Sequence, residues 1–583
     1  MRRLFPRLIA LALLGASAAA SAVDGSMLSA MVERDRARLL EALECPDAAR
    51  NRLLQMKAGD GDGAGPTADS LMCDLALEAL CTSSPELPAC GDVDRTGAYA
   101  GYYLMRYTMP VVAMTRRALL MPGDAGTRRS DDAITDTGLE SVFTILRLLR
   151  PELRGCGNLP RVRTWCTVTE NGSRAVESHR AAVAYLASEG MRLLAECRAR
   201  GAACPISGTS VDAALVRWFD VLLWDHALLD GTLLRNSLTQ HVRTSTPADM
   251  RLRHMRDEYE ASEGNGPAFR FATDGWWIAV AANVLAVDAL LEGDDDPRPV
   301  ALTDLQRFAL ESLVSVGTEV LAQRAERTRV RDFEGAEAEG LQFDSQLWDA
   351  HEYRRFSGVD SGPRPFSVVD DSQAGAPRIV FADGEERRAE GVGLDSGHYR
   401  RLTWLHYTLS NVQRLLETDW VEQSTLEGLA NQFAYAVHWH SCHHLRAESC
   451  DAAPPLAADG VPRFVNYVSG QRGWYRLTPA QPCDAGVPPF GFSTLMTISE
   501  NLWWAGYNED VVRIWGRLEA AVNDSQRPAP SAGDTSPCGD DAGTAYWHRT
   551  YRDTVLDADG RLSRHGLGFF AMKHWAGLAL ELP

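Results

Sequence analysis

Residues 276–291 read WWIAVAANVLAVDALL, a stretch whose apolar side chains would cover nearly every side of a helix. It is too short to span a bilayer, and it carries Asn283 and Asp288. A helix that is apolar all round in a soluble protein must be enclosed by other helices. The stretch therefore predicts a buried helix inside a layer of helices.

The next helical stretch, 303–327, is amphipathic instead. Its apolar positions, set among charged ones, are Leu305, Phe308, Leu310, Leu313, Val314 and Val320. A buried helix followed by a half-buried one predicts two concentric layers, and this alternation returns where 495–508 leads into 511–522. Further helices are predicted at 97–121, 137–149, 174–198, 211–238, 399–418 and 426–440. The predicted fold is mainly α: helical hairpins closed into a double-layered toroid, with a few short strands in long loops.

The first 22 residues have the features of a secretory signal peptide. Arg2, Arg3 and Arg7 form a basic leader, residues 8–14 are apolar, and small side chains precede the expected cleavage after Ala22. The arginine pair also resembles a twin-arginine signal, but we favour the general secretory route. The mature protein is expected in the periplasm or outside the cell, without a stable membrane anchor.

Behind the leader, the sequence predicts two parts. Residues 23–95 are expected to form a disulfide-tied helical cap, and 96–583 the toroid domain, since a repetitive fold accommodates this length without splitting its core. Loops rich in proline and glycine are expected at about 363–393, 452–489 and 526–566, and the first contains a predicted strand and turn at 378–385.

Cysteine usage agrees with export. The chain has 12 cysteines, and in an oxidising compartment an even number predicts disulfides that staple the fold. Proximity in sequence suggests pairing Cys73 with Cys81 or Cys90, Cys156 with Cys166, Cys197 with Cys204, Cys442 with Cys450, and Cys483 with Cys538.

Charge and composition exclude several functions. The net charge of −19 makes the chain a poor ligand for nucleic acid or for an anionic membrane. Lys57 and Lys573 are the only lysines, and neither follows a glycine, so the chain has no phosphate-binding P-loop. No cofactor is predicted.

Candidate chemistry gathers at predicted helix starts, because the first turns of successive inner helices would meet at one rim. Asp274 and Asp395 each precede such a helix, where a carboxylate can also simply cap free backbone N–H groups. Behind Asp395, His398 is a candidate general base, and Arg400 or Arg401 could bind a carboxylate.

A second group lies in a loop and in the last predicted inner helix. The loop 463–476 combines Asn466 and Tyr467 with Trp474, a mixture that suits sugar hydroxyls and the apolar faces of sugar rings, or that merely anchors a loop. Glu500 lies beside two tryptophans and is either a buried structural acid or a catalytic one. Trp276 is a further candidate contact with a sugar.

The histidine-rich stretch 438–444 is not predicted to bind a metal. His440 and His444 would share a helix face, as zinc ligands can, but no carboxylate or further cysteine completes a set at the usual spacing.

With this hairpin alternation over 97–583 and these helix-start segments, the chain resembles the (α/α)-toroid carbohydrate-active enzymes, which include polysaccharide lyases and glycoside hydrolases. The Asn-Asn-His-Ser motif of alginate lyases is absent. The resemblance implies a polysaccharide or oligosaccharide substrate. For a lyase, Asn466 or Arg400 would neutralise a uronate carboxylate, with His398 or Tyr467 as base and acid.

For a hydrolase, two of Asp274, Asp395 and Glu500 would face each other across the cleft. The alternative to both enzymes is a non-catalytic exported glycan-binding or envelope scaffold protein. In such a protein Asp395 and His398 would only cap and pair locally.

Overall fold

The computed structural model describes the chain in segments. They are residues 39–58, 70–83, 87–90, 100–120, 128–149, 155–156, 159–163, 165, 167–169, 172–174, 177–201, 204–206, 208–225, 267–292, 297–343, 366–369, 378–381, 391–444, 462–471, 473, 475, 498–523, 555 and 562–580. The predicted signal peptide lies outside these segments.

The described chain is mainly helical, as the sequence predicted. Its α-helices are α1 (Asp47–Ala58), α2 (Leu71–Ser83), α3 (Ala100–Leu120), α4 (Arg128–Leu148), α5 (Glu177–Ala199), α6 (Val211–Asp220), α7 (Pro267–Glu292), α8 (Asp304–Arg324), α9 (Ser396–Leu416), α10 (Gln423–Asn431), α11 (Ser441–His444), α12 (Asp510–Asn523) and α13 (Arg564–Leu580). One turn of π-helix continues α6 over Val221–Asp225 and α10 over Gln432–Val437, and 3-10 helices form at Pro88–Cys90 and Glu500–Gly506.

Short antiparallel hairpins interrupt the helices. They pair β1 (Gly155–Cys156) with β2 (Leu159–Arg163), β3 (Thr167–Thr169) with β4 (Gly172–Arg174), β5 (Ala325–Arg331) with β6 (Glu337–Phe343), and β7 (Phe366–Val369) with β8 (Arg378–Phe381). Of the strand and turn predicted at 378–385, the strand is confirmed as β8, and residues 382–385 lie outside the described segments.

The hairpin β5–β6 replaces the predicted end of helix 303–327. From Ala325 the sequence alternates charged residues with Thr328 and Val330, which suits a strand better than a helix. Gly335 has φ 84°, a left-handed conformation that closes the turn between the strands.

The apolar stretch of the opening prediction forms the interior of α7. Every residue from Trp276 to Val287 is buried. Gly275–Glu292 is long and apolar enough to cross a membrane, with a mean hydropathy of 1.4, yet 83% of it is buried within the protein. Its neighbours are α5, α8 and α9. The enclosure predicted from sequence is therefore confirmed.

Four helices run in the same direction, because their contacts follow the same order along each of them. At one end of the group, Tyr102 of α3 contacts Trp276 of α7 and Arg401 of α9, and Gly101 of α3 contacts His179 of α5. Further along the same helices, Glu189 of α5 contacts Arg116 of α3, Asn283 of α7 and Thr408 of α9. Among the helices that follow them in sequence, α4 contacts α3 and α5, α6 contacts α5, and α8 contacts α7, whereas α10 contacts β6 and the 3-10 helix Glu500–Gly506.

The half-buried helix α8 differs from its prediction at its first turns. Leu310 and Val314 are buried, but Leu305 and Phe308 are 77% and 67% exposed. A capping box between Thr303 and Gln306 begins the helix. Leu305 and Phe308 therefore do not contribute to the core.

Disulfides in the described part of the chain join Cys45 to Cys73, Cys81 to Cys90, and Cys197 to Cys204. The last confirms its prediction. The pairing of Cys73 with Cys81 or Cys90 was wrong, because α2 carries Cys73 and Cys81 on different turns and only Cys81 lies near the 3-10 helix that holds Cys90. The other predicted pairs include residues outside the described segments. Hydrophobic residues of α1 and α2 belong to the same continuous core as the later helices.

Candidate functional site

The start of α9 brings a carboxylate and an imidazole together. Asp395 is the N-cap of α9, and its carboxylate accepts the backbone N–H of His398 at 2.9 Å and contacts Nδ1 of the same residue at 2.6 Å. Asp395 is buried, whereas 15% of the His398 side chain is exposed. An ionised carboxylate only accepts hydrogen bonds, so Nδ1 carries the hydrogen and Nε2 is the basic nitrogen.

An extended segment of the loop 462–471 holds this pair in place. Tyr467 and Asp395 form an antiparallel bridge, Ser396 donates its backbone N–H to Asn466 O at 2.8 Å, and Val468 donates to Leu394 O at 2.9 Å. The same segment pairs with His438 through Phe464. The pair is thus fixed by backbone hydrogen bonds between parts of the chain that lie far apart in sequence.

Tyrosine rings lie next to His398. The ring centroid of Tyr475 is 6.4 Å from that of His398, and Tyr467 lies 6.4 Å from Tyr475. Tyr467 itself is completely buried, and the Asn466 amide is buried and donates to Gly473 O at 2.9 Å. In this conformation Tyr475, which the sequence did not single out, is the tyrosine beside the imidazole; the aromatic character of its loop was the signal available.

The two arginines of α9 contact aromatic residues of other helices. Arg400 donates to the Tyr102 hydroxyl at 2.8 Å. The guanidinium carbon of Arg401 lies 4.5 Å from the Tyr102 ring centroid and 5.7 Å from that of Trp276. Burial lowers the pKa of Arg401, but its contact with Tyr102 and the nearby charge of Asp395 outweigh burial and raise the pKa overall.

The carboxylate of Glu500 is buried below the surface, where a substrate would not reach it. It accepts a hydrogen bond from Arg106 Nε at 2.5 Å and one from Trp404 Nε1 at 3.1 Å, and it is only 3% exposed. Burial raises the pKa of Glu500, although the charges of Arg106 and Arg401 act in the opposite direction. These contacts agree with the structural interpretation of Glu500.

The prediction that Asp274 opens an inner helix was wrong. Helix α7 begins at Pro267, a residue whose fixed φ suits the first helical position, and Asp274 lies inside the helix. Trp276 is confined between helices at 1% exposure. Trp474 and the first residues of the predicted helix 495–508 lie outside the described segments.

The sequence missed a buried ionic network that joins the middle of α3, α5 and α7. Arg116 contacts Glu189 at 2.6 Å and Glu196 at 2.7 Å, and Arg192 contacts Glu196 at 2.8 Å. Asn283 of the apolar helix joins it by donating to Glu189 at 3.0 Å. All five residues are at most 5% exposed. Two glutamates balance two arginines without access to solvent, so the network stabilises the packing of the helices. Asn283 in an apolar stretch was the one sequence signal for it.

The histidine-rich stretch is packed against backbone carbonyls. His440 Nε2 contacts Tyr435 O at 2.9 Å, and His444 Nε2 contacts Ala436 O at 2.9 Å. Burial lowers the pKa of His440 to about 4 and that of His444 to about 3. No group of three or more metal-binding side chains occurs among the described residues.

A small surface depression lies away from this site, between α4 and α6, and Phe143, Arg147 and Trp218 are among its lining residues. None of the predicted site residues lines it. The chain matches no family model, no curated protein and no solved structure.

Proposed function

We propose that the chain is an exported enzyme that cleaves glycosidic bonds of a polysaccharide or oligosaccharide by elimination, with His398 as the general base. The observation that carries this proposal is the Asp395–His398 pair, a buried carboxylate 2.6 Å from a partly exposed imidazole. A base whose tautomer and orientation are set by a second group is a recurrent arrangement in proton abstraction.

Helix packing supports a toroid around this site. In order, α3 packs on α5, α5 on α7, and α7 on α9. Helix α9 packs on the 3-10 helix Glu500–Gly506, which packs on α13, and α13 packs on α3 again. A sequence of contacts that returns to its first member is expected of an inner ring of helices. The proposed site then lies at the end where α3, α5 and α9 begin, and helix N-termini favour negative charge.

Elimination is favoured over hydrolysis by what the carboxylates contact. Hydrolysis requires one carboxyl to act as an acid and another to act as a base or nucleophile across the scissile bond. Asp395 already accepts two hydrogen bonds from His398, and Glu500 is paired with Arg106 beneath the surface. Neither carboxylate is therefore placed to act as the acid, base or nucleophile of hydrolysis. The basic Nε2 of His398, by contrast, suits abstraction of a proton next to a carboxyl group.

The three disulfides of the described segments support an oxidising and therefore exported location. They agree with the leader predicted for residues 1–22, and periplasmic or extracellular placement is part of the proposal.

The test is a cleavage screen with purified mature protein, its disulfides intact, against uronate and neutral polysaccharides. Elimination generates an unsaturated uronate that absorbs in the ultraviolet, and any cleavage generates new reducing ends. We expect both signals from a uronate polymer. His398→Gln should lower the rate by a factor of about 10² or more, the usual contribution of a general base. Asp395→Asn should lower it too, because the amide no longer orients the imidazole.

The matched control is His443→Gln, which replaces a partly buried histidine outside the site. It should leave the rate unchanged. Reducing ends without absorbance would refute elimination, and equal rates for the His398→Gln variant and the wild type would refute the assigned base.

One observation favours the alternative, a non-catalytic glycan-binding or envelope scaffold protein. Asp395 caps its own helix, and this alone accounts for the short contact with His398. Absence of cleavage on every polymer by folded protein, with glycan binding retained, would favour this alternative.

A further inference from the structure

Two polar donors, one on α7 and one in the first turns of α9, have no acceptor among the described residues. Both the indole Nε1–H of Trp276 and the Nε–H of Arg401 are buried and make no hydrogen bond. Leaving a buried donor unsatisfied costs about 1–3 kcal/mol, a cost that a ligand with acceptor atoms would remove. These two lie on side chains in contact with each other, since the guanidinium carbon is 5.7 Å from the Trp276 ring centroid.

The charge of Arg401 is also unusual for its surroundings. In a chain of net charge −19, it forms no ion pair within the described segments. The carboxylate of the nearby Asp395 already contacts the imidazole of His398, and that of Glu500 is paired with Arg106. The guanidinium instead lies 4.5 Å from the Tyr102 ring centroid, a contact that holds a cation without neutralising it.

We infer that Arg401 and Trp276 form a carboxylate subsite, which binds one uronate residue of the glycan beside His398. This inference rests on the proposed function and specifies which residues take the acidic group of its substrate. A carboxylate offers two acceptor oxygens and a negative charge, which together satisfy the two donors and balance the guanidinium. Arg401 is partly exposed, as is His398, and residues three positions apart lie on the same side of a helix.

Arg400 fits this role less well, although the sequence pointed to both arginines. Its Nε–H also lacks an acceptor, but its Nη2 donates to the Tyr102 hydroxyl at 2.8 Å, and the residue is buried at 8% exposure. Asn466, the other predicted neutraliser, is buried and donates to Gly473 O. Of the three, Arg401 is the one that combines a positive charge with partial exposure.

The test measures binding without turnover. The mature protein, with 15N-labelled tryptophans, is titrated with galacturonate and glucuronate and, as neutral counterparts, with galactose and glucose. The indole N–H resonance of Trp276 is assigned by its loss in Trp276→Phe. We expect either uronate to shift this resonance and to bind at least tenfold more tightly than its neutral counterpart.

Substitutions of Arg401 and Trp276 test how much each donor contributes to the affinity for uronate. Arg401→Gln and Trp276→Phe, the latter retaining most of the aromatic surface, should each weaken uronate binding about tenfold, the effect of losing one good hydrogen bond to a charged group. Trp277→Phe, a change at the neighbouring buried tryptophan, is the matched control and should bind uronate like the wild type. Equal affinity for uronate and neutral sugars, or uronate binding that neither Arg401→Gln nor Trp276→Phe weakens, would overturn the subsite.

His398→Gln distinguishes this inference from the proposed function. It should keep the uronate affinity and lose cleavage. Uronate binding that depends on Arg401, in a protein that cleaves no polymer, would refute the proposed function and support the subsite. Cleavage of a uronate polymer that persists in Arg401→Gln with unchanged KM would support the function and refute the subsite.

Discussion

The buried imidazole of His406 should make the stability of this protein depend on pH. His406 lies in the middle of α9 and is 2% exposed; its Nδ1 contacts Leu402 O at 2.8 Å. The rings of Phe343 and Trp504 lie 6.3 and 6.2 Å away. Burial lowers the pKa of His406 to about 4, although the hydrogen bond to Leu402 acts in the opposite direction.

The direction and the size of the effect follow from proton linkage. In the unfolded chain His406 binds a proton with a pKa of about 6.5, whereas in the folded chain it binds one only near pH 4. The contribution of His406 to stability is therefore complete above about pH 7 and is lost as the pH falls through this interval. Between pH 7 and pH 5 the loss amounts to about 2 kcal/mol.

The assay is urea denaturation at pH 7 and pH 5, with disulfides intact, on the wild type and on His406→Leu, which cannot bind a proton. Carboxylates titrate equally in both proteins, so the difference between the two pH dependences isolates His406. We expect the wild type to lose about 2 kcal/mol more than the variant. Equal losses would refute the reasoning, as would an NMR titration that places the native pKa near 6.5.

Three further substitutions test other parts of the fold. Glu189→Gln removes one of the two carboxylates of the buried ionic network and should cost about 3–5 kcal/mol in urea denaturation, while an unchanged midpoint would show that the network does not stabilise the packing. Replacing both Cys45 and Cys73 by serine opens a link between positions 28 residues apart and should cost about 3–4 kcal/mol, measured against the oxidised wild type. Gly566→Ala would place a Cβ 2.2 Å from the carbonyl oxygen of Val555, so we expect a loss of about 1–3 kcal/mol in stability from thermal unfolding; a wild-type Tm would contradict this close approach.

The Asp395–His398 pair shows which features of a functional site can be predicted from residues close together in the sequence. A carboxylate three positions before a histidine at a helix start predicts the cap and permits the side-chain contact, because both lie within one turn. The sequence did not reveal that Asp395 would be wholly buried or that Tyr475 would lie beside the imidazole. Those properties come from the bridge between Tyr467 and Asp395, which joins segments about 70 positions apart.

The sequence also predicted Glu500 and Asp274 as site residues on the same kind of local evidence, with different outcomes. A glutamate beside tryptophans is ambiguous until its partners are known, and here Arg106, 394 positions away, makes it a buried ion pair. The start of α7 was misplaced because the apolar run begins at Trp276, whereas the helix begins earlier, at Pro267. Hydrophobic periodicity locates the buried part of a helix better than its ends.

By itself, the sequence determined the properties that depend on neighbouring residues. These are the mainly helical fold, the buried character of α7, the short loop closed by Cys197 and Cys204, and the cap of α9. Only the tertiary structure decided which distant side chains meet: Cys45 with Cys73, Arg116 with its two glutamates, and Arg401 with the rings of Tyr102 and Trp276. The physical reason is that helix formation and capping follow from periodicity within a few turns, whereas ion pairs and aromatic contacts between helices depend on how those helices pack.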